Sequence, residues 1–159
     1  MIILPVILLQ VLAAVVVVYA WLEGKRESWY WFQVWSRRFK VYFPVKDEHP
    51  WFLAQRAIFY GPIVGCLYGL AEWMGVGQGW TVAEAIGLAL VALVCHQGCY
   101  YQERERLKPG TYPMGFWDHN GASDRWSTKF FDPDIRFWML VAGCIIHILT
   151  TVHHVLHIS

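Results

Sequence analysis

The apolar stretch at residues 135–158 reads IRFWMLVAGCIIHILTTVHHVLHI. It is long enough to cross a bilayer, which takes about 20 apolar residues, yet it carries several histidines. Starting from Gly143, offsets of 4, 3, 4 and 3 residues lead to His147, Thr150, His154 and His157. This spacing places all of them on one helical face. Ionisable groups within a membrane segment normally face a bundle interior, a cavity or an interface, so this histidine stripe is the first candidate functional feature.

The composition is typical of an integral membrane protein. The chain has 159 residues, the length of one domain, and is 57% hydrophobic, 16% charged and 17% aromatic, with ten tryptophans. Two interfacial aromatic belts account for such a composition better than a soluble core does. The four cysteines lie in hydrophobic stretches and are interpreted as packing residues. Basic residues alternate with membrane-belt aromatics, so we expect no nucleic-acid partner.

Four apolar stretches have the length of transmembrane helices, namely residues 2–22, 52–74, 81–101 and 133–157. The first lacks the basic start and cleavage site of a signal peptide, so we expect it to be retained. Residues 25–43 repeat aromatics at helical spacing opposite polar residues, which predicts an amphipathic helix in the membrane interface. The predicted fold is therefore all-α, a four-transmembrane-helix bundle with an interfacial helix, in one membrane domain comprising residues 1–159.

Two of the spans carry features that predict helix packing. Gly61, Gly65 and Gly69 form a double small-xxx-small motif, which allows a neighbouring backbone to approach closely. Glu72 falls on or beside that face, so we expect it to point into the bundle. Gln10 interrupts the first span and is expected to face other helices. A short turn at residues 75–79 predicts a hairpin that brings Glu72 to the same end as Glu84.

The basic residues predict the topology. All thirteen lysines and arginines lie in the two connections at residues 23–51 and 101–135 or in the span ends that adjoin them. The positive-inside rule places those loops in the cytoplasm, including the polar loop 102–131. Both termini and the 75–79 turn are then outside. We expect a bacterial-type inner (plasma) membrane.

Five residues are predicted to gather at the outer end: His153, His154, His157, Glu72 and Glu84. Carboxylates and imidazoles are suitable ligands for a divalent Zn, Fe or Mn ion, and His153 and His157 are one helical turn apart. The same groups could instead relay protons, because histidine titrates near neutral pH. A third interpretation places the histidines among headgroups and the carboxylates in hydrogen bonds between helices.

A second candidate cluster lies toward the cytoplasm and consists of His96, Glu103, Asp118, His119 and Asp124. Such ligands could hold a hydrolytic metal, although a loop of Asp, His, Asn and Gly is also an ordinary turn. His147 lies between the two clusters, near mid-membrane. Its level differs from that of His96 by about 8 Å and CxxCH is absent, so we do not expect haem.

Three functions are compatible with these patterns. The leading hypothesis is a small accessory or scaffold protein of a membrane complex, forming homo- or hetero-oligomers in the bilayer and binding a metal through its His/Glu cluster. The second is a membrane-embedded, metal-dependent enzyme acting on lipid or headgroup substrates. The third is a proton or ion conductor. The sequence contains no HExxH, no GxSxG and no phosphate-binding glycine loop, so enzymatic activity stays an open question.

Overall fold

The computed structural model describes residues 3–36, 49–75, 77–107, 116–117 and 133–158. Within these residues every secondary-structure element is an α-helix, which confirms the all-α prediction. The helices are α1 (Ile3–Ser36), α2 (His49–Met74), α3 (Gln78–Leu107) and α4 (Pro133–Ile158).

Each helix contains a segment that is long and apolar enough to cross a membrane. These segments are Leu4–Tyr30, Arg56–Met74, Gln78–Arg104 and Asp134–Leu156. Large apolar side chains point away from the bundle: Ile58 is 75% exposed and Leu156 is 66% exposed. An outward apolar surface on every helix is what a lipid environment requires, so the architecture is consistent with an integral membrane protein.

Helix α3 is the centre of the bundle, with α1 packed along one side and α4 along the other. Helix α2 is more peripheral and buries a narrow face made of Ile63, Leu67 and Ala71. The core between α1, α2 and α3 is aliphatic and includes Leu9 and Leu88. Helix α3 therefore packs mainly against α1 and α4, and less against α2, its partner in the hairpin.

The first helix is longer than the sequence predicts. We expect it to end at residue 22, ahead of a separate interfacial helix at 25–43, but α1 continues without a break to Ser36; residues 37–43 lie outside the described part. The buried face continues at helical spacing through Leu9, Ala13, Val16, Ala20, Glu23, Gly24 and Ser28. A Cβ at Gly24 would lie 2.5 Å from the carbonyl oxygen of His96. This glycine therefore permits close contact with α3, and it does not end the helix.

Helices α3 and α4 cross where two glycines face each other. A Cβ built on Gly143 would lie 2.8 Å from the carbonyl oxygen of Gly87, and one on Gly87 would lie 3.1 Å from that of Gly143. Side chains at either position would push the backbones apart. This pair performs the role that the sequence suggests for the glycines of the second span.

The glycines of α2 do not pack against the described residues. Gly61, Gly65 and Gly69 are exposed, and a Cβ on any of them would meet no described atom within 4 Å. Glu72 is also exposed, so the expectation that it points into the bundle is wrong. The reason is the rotation of α2, which buries the opposite side of the helix.

The helix ends follow ordinary capping chemistry. Gly75 adopts φ 68°, and its N–H donates to the carbonyl of Glu72 at 3.1 Å, which closes α2 in the left-handed conformation that glycine allows. Helix α4 begins at Pro133, as the proline predicts. Helix α2 ends at Met74 and α3 begins at Gln78, so the connection between them is short, as predicted.

Candidate functional site

Glu84 is the centre of a polar layer within the apolar bundle. It is 1% exposed, and both of its carboxylate oxygens have partners on α4. Nδ1 of His147 lies 2.5 Å from Oε1, and the hydroxyl of Thr150 donates to Oε2. We call Glu84, His147, Thr150, Gln10 and Thr151 the Glu84 layer.

The Glu84 layer connects three helices. Nε2 of His147 lies 3.1 Å from Oε1 of Gln10 on α1, and the Gln10 amide donates to the Thr151 hydroxyl at 3.2 Å. Gln10 therefore faces other helices, as predicted. The carboxylate fixes one imidazole nitrogen and the amide contacts the other, so His147 is held in a single orientation.

The glycine crossing explains why these side chains meet. Glu84 precedes Gly87 by three residues, and His147 follows Gly143 by four. Where antiparallel helices cross at Gly87 and Gly143, these offsets bring carboxylate and imidazole to the same level. The histidine stripe predicted on α4 is accordingly a packing face, since Gly143, Thr150 and His154 are all buried.

A second polar layer, which we call the Arg56 layer, consists of Glu23, Glu27, Arg56 and His96. Nη2 of Arg56 lies 2.6 Å from Oε1 of Glu27, and Nε lies 3.4 Å from Oε1 of Glu23. Nε2 of His96 lies 3.1 Å from Nη2 of Arg56 and 3.2 Å from Oε2 of Glu27. This histidine accepts from arginine when Nε2 lacks a proton, and donates to glutamate when Nε2 carries one.

An elongated cavity of about 190 Å³ lies beside the Arg56 layer, between α1, α2 and α3. Most of its wall is aliphatic, formed by residues such as Leu67, Ala85 and Leu88. Glu23, Arg56 and His96 line it as well. The cavity is therefore amphipathic, with charged groups at the end near the Arg56 layer.

The structure does not bring the predicted outer cluster together. Glu84 pairs with His147 and Thr150, while Glu72 is exposed on α2. The His153 ring stacks on Trp80 with 4.0 Å between centroids, and His154 is 2% exposed. The side chain of His157 lies outside the described part. Among the described residues the α3–α4 crossing gives Glu84 the partners His147 and Thr150, and the cluster of Glu84 with Glu72 and the terminal histidines stays a prediction.

The second predicted cluster is described only in part. His96 belongs to the Arg56 layer, whereas the buried Glu103 pairs with Arg106 at 2.6 Å. Asp118, His119 and Asp124 lie outside the described residues. Within the described ranges no three His, Cys, Asp or Glu side chains are grouped so as to hold a metal ion. His96 and His147 occupy different layers.

The sequence analysis does not predict the contacts of several polar residues in the bundle. Glu23 and Glu27 lie four residues apart, a spacing that predicts a shared face only if the first helix continues past residue 22. Arg56 is one of the thirteen basic residues used to predict topology, but its position in the sequence does not indicate which residues it contacts. Arg136 is fully buried and donates to the carbonyls of Phe116 at 3.3 Å and Trp117 at 2.7 Å, which ties those residues to the start of α4.

No protein-family model matches the chain, and no curated protein or solved structure is similar to it. The bundle itself contains two polar layers that join helices, an amphipathic cavity, and three exposed glycines on α2.

Proposed function

We propose that the protein is a small integral membrane accessory or scaffold protein that associates through its transmembrane helices. The observation that carries this proposal is the outward face of α2, where Gly61, Gly65 and Gly69 are exposed to open space. In a membrane, small residues in this spacing allow a second helix to pack closely.

Glu72 provides a second reason to expect a helix against this face. It follows Gly69 by three residues and Gly65 by seven, so it lies on the same side of α2, and it is exposed. A carboxylate within a membrane-spanning helix is unfavourable toward lipid and favours a polar neighbour or the membrane boundary. We infer that the glycine face, defined as Gly61, Gly65, Gly69 and Glu72, binds another copy of this chain.

The polar layers suit this role. The Glu84 layer joins α1, α3 and α4, and the Arg56 layer joins one end of α2 to α1 and α3. The outward glycines of α2 belong to neither layer. The conductor hypothesis has less support, because His96 lies twelve residues beyond Glu84 on α3, about 18 Å at 1.5 Å per residue. Between the two levels the cavity wall on α3 is formed by Leu88, Ala89, Ala92 and Leu93, whose side chains have no group that could relay a proton.

Replacing Gly65 with leucine should weaken self-association by about tenfold or more, because a bulky side chain prevents close helix contact. Energy transfer between two labelled populations in liposomes, over a range of protein-to-lipid ratios, measures this. Cys66→Leu is the matched control, since Cys66 is also exposed on α2 but lies beside the glycine face. A wild-type chain that stays monomeric, or a Gly65→Leu chain that associates normally, would contradict the proposal.

We further propose that the basic loops are cytoplasmic in a bacterial-type inner membrane, with both termini outside. A cysteine introduced at Gly77 should then react with a membrane-impermeant thiol reagent in intact cells, and one at Lys40 should react only after the cells are opened. The parent chain with its four native cysteines gives the background. If only Lys40→Cys is labelled in intact cells, the topology is the opposite of the one proposed.

A further inference from the structure

Glu23 is a buried carboxylate with an incomplete set of partners. It is 4% exposed and lines the amphipathic cavity. The only described group paired with it is Nε of Arg56 at 3.4 Å, and neither of its oxygens accepts a hydrogen bond from the described residues. A buried carboxylate normally accepts several hydrogen bonds, so a donor from outside the bundle would complete this site.

The charges of the Arg56 layer favour a cation as that donor. Glu27 faces Arg56 and His96 and is also near Arg26, whereas Glu23 has only the shared Arg56 among the described cations paired with it. His96 adds a positive charge only when protonated, so Glu23 is the less compensated carboxylate. Arg56 also has N–H donors that are available to a ligand. Its Nε and Nη2 face carboxylates, whereas Nη1 has no partner among the described residues, and the side chain is 35% exposed.

The cavity has the length of one bilayer leaflet. Arg56 is the first residue of its membrane-spanning segment, and Leu67, eleven residues further along α2, lines the cavity. Eleven residues rise about 16 Å, close to half of a ~30 Å hydrocarbon core. A molecule with its head at Arg56 would place an acyl chain along Leu67 and Leu88.

We propose that this cavity binds a phospholipid whose headgroup ends in a primary ammonium, as in phosphatidylethanolamine. The ammonium donates to Glu23, the phosphate accepts from Nη1 of Arg56, and an acyl chain fills the aliphatic part. Phosphatidylcholine has the same phosphate and chains, but its quaternary ammonium has no N–H to donate. The site therefore discriminates between the two lipids through Glu23.

The test uses the full chain reconstituted in an equimolar mixture of these two lipids with identical acyl chains. After mild detergent extraction, mass spectrometry measures the lipids that remain bound. Wild type should retain phosphatidylethanolamine about tenfold over phosphatidylcholine, the order of magnitude expected from one charge-assisted hydrogen bond. Equal retention of both lipids by the wild-type chain would overturn the proposal without requiring any variant.

Two substitutions assign the site. Glu23→Gln should bring the ratio close to one, while the control Asp134→Asn, at an exposed carboxylate on α4 that does not line the cavity, should keep the wild-type ratio. Ala89→Phe narrows the cavity and should reduce the retention of both lipids. Unchanged selectivity in Glu23→Gln, or unchanged retention in Ala89→Phe, would overturn the assignment to this cavity.

Discussion

Replacing Glu84 with alanine should lower the free energy of unfolding by about 3 kcal/mol. The substitution removes the acceptor for both His147 and Thr150. Interhelical hydrogen bonds in membranes contribute up to about 1.7 kcal/mol each, and a buried polar group left without its partner adds a further penalty. Reversible unfolding in mixed micelles, with SDS as denaturant, measures the change.

The control for this prediction is Glu72→Ala. It removes the same functional group from another membrane-spanning helix, but at an exposed position without a described partner in the bundle. We expect a change within about 0.5 kcal/mol, as for most surface substitutions. Equal effects of the two substitutions would show that the Glu84 layer does not hold the helices together.

Replacing Gly24 with alanine should destabilise the bundle by about 2 kcal/mol, within the range for overpacked interiors. The new Cβ would lie 2.5 Å from the carbonyl oxygen of His96 and 3.1 Å from the backbone nitrogen of Tyr100. Backbone atoms of a helix cannot move aside as a side-chain end can, so α1 and α3 would have to separate. The same unfolding assay measures the loss.

Gly65→Ala is the matched control for that substitution. A Cβ at Gly65 meets open space within the chain, and alanine is the better helix former by about 1 kcal/mol. This variant should be as stable as wild type or more stable. A Gly24→Ala chain that gains stability in the same way would contradict the close contact of α1 with α3.

The number and type of the helices in the described part of the chain can be predicted from the sequence because they depend on local properties. Apolar length alone predicts four spans, and Pro133 marks the start of α4. The end of α1 is different. Charged residues such as Glu23 suggest the end of an apolar run, but Glu23 and Glu27 are accommodated by Arg56 and His96, which come from two other helices. Such partners become visible only in the folded bundle.

The partner of Glu84 could not be predicted for a related reason. Loop length predicts which helix ends lie together, but it says nothing about how each helix is rotated about its axis. Rotation turns Glu72 outward and Glu84 inward, and the crossing at Gly87 and Gly143 selects His147. Residue spacing alone predicts the face of α4 on which His147 lies. It does not predict which side chains His147 contacts.

The Glu84 layer holds three helices of the bundle together. A double-mutant cycle with Glu84→Ala and His147→Ala isolates the interaction between two of its side chains. We predict a coupling of at least about 1 kcal/mol, in the upper part of the range measured between membrane helices. Additive effects, with no coupling between the two positions, would contradict it.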